Sequence, residues 1–210
     1  MIEVFAITDR DDLPLPDTEG LERVCHEGMA GVFIRRQARP EASAEALWDH
    51  EQIVEQLMED RAVLPLRYGT LLRDEGELRG VMEERSAEFA QLLDLVRGRV
   101  ELAVRVLAES ADDEVDEKPR SGRAYMETLA RRRKSSEEAV AALEPLESVA
   151  EAAVKRESAG DLTRLSFLVE RGRVEDFNVR LDELRGEHPE LSMTCTGPWP
   201  PYSFVSGGSS

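Results

Sequence analysis

VLPLRYGTLL, Val63 to Leu72, is the stretch on which the fold turns. It is an apolar, strand-like run interrupted by Pro65 and closed by Arg67, Tyr68 and a Gly-Thr pair. Amphipathic helical patterns flank it on both sides. Pro65 has no amide hydrogen for a sheet ladder, so the run is expected as one strand at a sheet edge. Arg67 is a charge in an apolar run. It either pairs with an acidic group inside the fold or is presented to a partner.

On the N-terminal side, Ala44, Leu47, Trp48, Val54, Leu57 and Met58 fall mostly at helical spacing. Glu51 is the polar gap in that stripe, and Ser43 is placed to cap the helix. Trp48 reads as a core residue. Before it, Met1–Thr8 is a strand, Asp9–Glu19 a loop with two prolines, and Leu21–Gln37 two short strands joined at a glycine turn. On the C-terminal side, Asp74–Val96 reads as one helix stopped by Gly98.

The second half opens with RVELAVRVL, Arg99–Leu107, whose valines and leucines alternate with Glu101, Ala103 and Arg105 at the strand period. Glu109–Gly122 is acidic and reads as a loop. Ala124–Glu157 reads as one long helix bent at Pro145, because the apolar stripe runs across the proline. Leu162–Glu170 is a strand and Val174–Leu184 a helix ended by Gly186 and Pro189. Leu191–Thr196 begins the last strand. GPWPPYSF, Gly197–Phe204, closes the ordered chain as a proline-rigidified terminal strand. The class is therefore α/β or α+β, in two small domains: a ferredoxin-like unit at 1–98, an α/β unit with the long kinked helix at 99–205, and a flexible tail at 206–210.

Composition narrows the function. The 210 residues include 44 acidic and 27 basic side chains, a net charge of -17. Such a field repels nucleic-acid backbones and anionic membrane surfaces. Arg131–Lys134 is the one basic run, but Glu137 and Glu138 follow within a turn, so it reads as a solvated face of i,i+4 ion pairs. No run approaches the roughly 20 apolar residues of a membrane span, and the N-terminus lacks a signal-peptide pattern. Cys25 and Cys195 read as reduced thiols of a cytoplasmic protein.

Catalytic patterns are missing from the sequence. His26, His50 and His188 have no metal-ligand spacing, Gly28–Gly31 is a turn rather than a phosphate cradle, and no nucleophile elbow occurs. No cofactor is expected. What remains is Arg67, Tyr68, Trp199 and Tyr202, aromatic and arginine residues of the kind that anchor protein interfaces.

Six segments then resemble one family, in its order and across nearly the whole chain: LWDHEQIVEQLM (47–58), VLPLRYGTLL (63–72), GRVELAVRV (98–106), GRAYM (122–126), LSFLVERGRVEDF (165–177) and GPWPPYSFV (197–205). They are similar to the gas vesicle protein GvpL/GvpF family, with Tyr68 where the familiar motif has phenylalanine. The resemblance implies two α/β domains and a minor, non-enzymatic component needed to assemble the gas-filled organelle. It also implies binding to the hydrophobic shell protein GvpA and to other accessory Gvp proteins, and a place in the cytoplasm associated with the vesicle. Whether such a component is an assembly factor or a retained constituent stays open at this level, as does a ligand-binding or catalytic role for a ferredoxin-like domain.

Overall fold

The computed structural model describes residues 1–108, 122–159 and 162–205. The expected acidic loop, apart from Gly122, and the expected tail lie outside them. The chain divides into two units: Met1–Val100 together with the chain from Trp199 onward, and Glu101–Pro198. The sequence-based division kept 99–205 together, whereas the structure groups the terminal segment with the first unit. Phe204, nearly buried, and Val205, packed on the first unit's core, account for that grouping.

The first unit is built on an antiparallel sheet of order β2-β3-β1-β4, with β5 also paired to β1. Its strands are β1 (Ile2–Thr8), β2 (Leu21–His26), β3 (Met29–Arg35), β4 (Val63–Pro65) and β5 (Leu71–Leu72). β2 and β3 form a hairpin whose turn residues Glu27 and Gly28 both take positive φ, 48° and 78°, the geometry that matches strand twist. A ferredoxin-like βαββαβ order carries a helix after its first strand. Here residues 9–20 run as a loop, in keeping with Pro14 and Pro16.

Helices cover both faces of this sheet. α1 (Ala44–Met58) starts at Ser43, whose Oγ accepts the Ala46 N–H at 3.1 Å. It buries Ile53, Val54 and Leu57 on the face that carries Phe5. α2 (Glu75–Glu84) and α3 (Ser86–Val96) pack on the other face against Ile2, Val4 and Phe33. Gly31 lets α2 come close, because a Cβ there would lie 2.9 Å from Leu78 Cδ2. The single helix expected over 74–96 is broken at Arg85, where φ is -110° and ψ 21°. Trp48, expected in the core, is 66% exposed, because the helix turns the Ile53–Leu57 stripe to the sheet instead.

The second unit is a sheet of order β7-β8-β6-β9. Its strands are β6 (Arg99–Ala108), β7 (Ala152–Ala159), β8 (Leu162–Glu170) and β9 (Leu191–Trp199), of which Arg99, Val100 and Trp199 are counted with the first unit. α4 (Gly122–Leu143) and α5 (Val174–Glu187) pack on it through Leu143, Phe177, Leu181 and Leu184, and the Phe167 and Phe177 rings lie 5.2 Å apart. On β6, Val104 and Val106 are buried while Arg105 and Leu107 are exposed, the expected alternation, whereas Glu101, expected on the wet face, is buried.

Four expectations are corrected here. The long helix does not continue through Pro145: α4 ends at Leu143 and Pro145 stands at the start of a 3₁₀ segment, Glu144–Val149, where its missing N–H costs little. Residues 152–157, expected as the end of that helix, form β7, paired antiparallel with β8 from Ala152↔Leu168. Sheet pairing overrides the helix preference of Ala and Glu there. α5 also runs past Gly186 and stops at His188, before Pro189, which disfavours helical backbone in the residue preceding it. The tail of the last strand ends at Trp199, and Tyr202–Val205 forms a short helix, α6, instead of continuing the strand.

Candidate partner-binding site

The Val63–Leu72 run is not one strand. Pro65 pairs with Ala6 and Leu71 with Glu3, so both ends lie along β1. Between them the Leu66 N–H reaches the Phe5 carbonyl at 2.8 Å and the Val4 N–H reaches the Thr70 carbonyl at 2.9 Å. Val4 and Phe5 are adjacent, whereas Leu66 and Thr70 are separated by Arg67, Tyr68 and Gly69. Those three residues are pushed out of the sheet edge. Gly69, at φ 74°, takes the left-handed conformation that closes the excursion. Opposite it, β1 is itself irregular, with a register shift between Val4 and Ala6.

Three side chains hold the bulge. Glu3 is fully buried, and its carboxylate accepts the Gly69 N–H at 3.1 Å and Arg36 Nε at 2.8 Å. His50 on α1, 2% exposed, lies with Nε2 2.8 Å from the Leu66 carbonyl and stacks on Phe5 at 4.8 Å. A carbonyl only accepts, so Nε2 carries the hydrogen. Tyr68 meets the His50 ring edge-on at 5.7 Å, and its hydroxyl donates to the Glu41 carbonyl at 2.8 Å. Arg67 is exposed, with no ion pair among the described residues. The internal pair considered for it is absent there.

Tyr202 reaches the same helix from the other end of the chain. The Tyr202 hydroxyl donates to Glu51 Oε1 at 2.9 Å. Burial, and then the Glu51 charge, push its pKa upward. Trp199 stays 45% exposed, as do Leu47 at 45% and Trp48 at 66%. Leu47 lies one helical turn from Glu51 and Trp48 beside it. Of the four residues singled out in the sequence, two therefore meet α1 at successive positions, Tyr68 at His50 and Tyr202 at Glu51, while Arg67 and Trp199 are exposed. The other residues of these contacts, Glu3, His50 and Glu51, carried weaker signals: a carboxylate between Ile2 and Val4, a histidine in register with Val54 and Leu57, and the gap in the helix stripe.

Elsewhere, Arg133 and Lys134 pair with Glu137 at 2.9 Å and Glu138 at 3.5 Å, as expected of a solvated basic run. The side chains of Arg131 and Arg132 lie outside the description. Among the described residues no three metal-ligating groups cluster, and no helix is long and apolar enough to cross a membrane. Cys25 and Cys195 are free thiols in different units.

The family model for gas vesicle synthesis protein GvpL/GvpF matches residues 4–206. Gas vesicle protein F2 of Halobacterium salinarum is 31% identical over 169 residues, which cover 79% of this chain and 70% of that protein. Gas vesicle protein L of a Streptomyces species is 27% identical over 186 residues, 77% of this chain and 69% of the relative. The crystal structure of GvpF from an Anabaena species superimposes with a TM-score of 0.78 over 99% of both chains at 17% identity, a likeness of fold.

Proposed function

This chain belongs to the gas vesicle GvpL/GvpF family, and from that premise we propose that it is a non-enzymatic accessory protein of gas vesicle assembly that binds the hydrophobic shell protein GvpA and other accessory Gvp proteins. The observation that carries this reading is Trp48, two-thirds exposed on α1 beside Leu47. Large apolar side chains at the surface of a chain with net charge -17 are where a partner with apolar surface is captured, while the charge keeps the complex dispersed. Arg67 and Tyr68 on the sheet-edge bulge, with Trp199 and Tyr202 at the chain's return, are proposed as further contacts. The protein acts in the cytoplasm, on the growing vesicle.

Co-expression with the shell protein tests this. The expected result is co-purification of the two and slower aggregation of the shell protein. A pure chain that neither binds it nor changes its aggregation overturns the reading. Immunodetection in washed vesicles then separates an assembly factor, which washes away, from a constituent that remains.

A further inference from the structure

A cavity of about 460 Å³ opens in the first unit between α1, the Pro40–Glu41 segment and the bulge, with Tyr68 in its wall. Phe5, Ile34 and Ile53 form an apolar wall, and Glu41 and Asp49 are exposed carboxylates in its lining. Glu3 and Arg36 also line it, but they neutralise each other through their 2.8 Å ion pair. Three carboxylates against one guanidinium leave a charge of -2.

The second observation is His50. Its ring lines the cavity, it is 2% exposed, and its Nδ1 has no hydrogen-bond partner. With Nε2 giving its hydrogen to Leu66, Nδ1 in that tautomer is an unshared lone pair on a residue that lines an acidic pocket. A buried acceptor without a partner is costly, and a donor arriving near it relieves that cost. An anion would meet unbalanced carboxylates, and an apolar group would leave the lone pair and both carboxylates unanswered.

We infer that this cavity is a socket for a lysine or arginine side chain presented by a protein partner. The aliphatic stem lies on the Phe5–Ile34–Ile53 wall while the cation faces Glu41 and Asp49, the division that long basic side chains favour. The volume lies within the range of binding sites and exceeds what one such side chain needs. A protein is the source, rather than a free polyamine, because Leu47 and Trp48 on the same turn of α1 as Asp49 offer apolar area that a small cation leaves uncovered. The inference rests on the proposed function only for who the partner is.

The test uses the full chain and three probes: Nα-acetyl-lysine N-methylamide, its arginine counterpart, and the norleucine counterpart, which has the stem without the charge. In ¹⁵N-resolved NMR spectra the lysine or arginine probe moves the amide signals of Glu41, Asp49, His50 and Tyr68 with a Kd of about 1 mM, the scale of so small a ligand. Norleucine leaves them in place. The double variant Glu41→Gln/Asp49→Asn, both exposed, keeps its melting temperature and weakens lysine binding about fivefold. Spermidine moving these signals when neither basic probe does assigns the site to free polyamines and overturns the proposal. So do no response at ten times that concentration, shifts spread over the acidic surface, an equal response to norleucine, or a double variant that binds as the parent does. A failed titration with the shell protein still co-purifying removes the socket and leaves the proposed function; the reverse pair of results removes the proposed function alone.

Discussion

His50 Nε2 sits 2.8 Å from the carbonyl oxygen of Leu66, the residue at which the edge strand leaves the sheet. That contact joins α1 to the bulge, and Phe5 under the imidazole and Tyr68 at its edge complete the joint. His50→Ala removes a buried ring and leaves the Leu66 carbonyl without that partner. The expected cost is about 2–4 kcal/mol, read from urea unfolding. Arg67→Ala, one residue further on and exposed, is expected to stay within about 0.5 kcal/mol. A large loss for Arg67→Ala would mean that the arginine is structural after all.

Glu3 fills the gap that the bulge opens. The Gly69 N–H and Arg36 Nε both converge on its buried carboxylate. Glu3→Ala strands both donors, one of them backbone, with an expected loss of about 2–3 kcal/mol. Arg36 keeps 38% of its side-chain surface in water, which holds the figure below that of a fully buried pair. Because Glu3→Gln keeps an acceptor for Gly69, its cost should be the smaller of the two. Equal costs would show that the charge on Glu3, rather than the backbone hydrogen bond, sets its contribution.

What the sequence disclosed and what it hid divide along the range of the interactions. β1, the β2–β3 hairpin, α1 with its Ser43 cap and the alternating β6 follow from local periodicity and capping chemistry, which neighbouring residues determine. The Val63–Leu72 bulge depends on Glu3, some 66 residues away, so no local pattern exposes it. β7 is a strand because Leu168 and its neighbours pair with it, although Ala152–Ala159 is rich in helix formers. Of the candidate site, the aromatic residues were legible as composition. That Tyr68 meets His50 and Tyr202 meets Glu51 was not, the second because it brings together chain segments about 150 residues apart.

Tyr202 ties the end of the chain to α1, and burial and Glu51 raise its pKa above the usual value of about 10. With the folded-state value the higher of the two, the neutral phenol is favoured in the native state. Its contribution is therefore complete below about pH 10 and is lost as pH rises further, because the unfolded tyrosine ionises first. One proton is involved, so the slope attributable to Tyr202 approaches about 1.4 kcal/mol per pH unit. Tyr202→Phe should cost about 1 kcal/mol at pH 8, from the lost hydrogen bond to Glu51, and that difference should shrink at pH 10.5 and above. Denaturation of both proteins at the two pH values checks it. A constant difference would mean that the hydroxyl is not buried against Glu51.

Trp48 separates folding from binding. At 66% exposure its indole contributes little to the packed core, so Trp48→Ala is expected to change stability by no more than about 0.5 kcal/mol. An exposed tryptophan that anchors an interface typically costs about 2 kcal/mol or more of binding when truncated, a loss of roughly thirtyfold in affinity. The shell protein should therefore fail to co-purify with Trp48→Ala under conditions where the parent retains it, while the melting temperatures coincide. Trp199→Ala, at 45% exposure, serves as the second arm. If Trp199→Ala abolishes capture and Trp48→Ala does not, the contact lies at the chain's return rather than on α1. If neither does, the partner is held by groups other than these two indoles, and Arg67 and Tyr68 on the bulge are the next to be replaced.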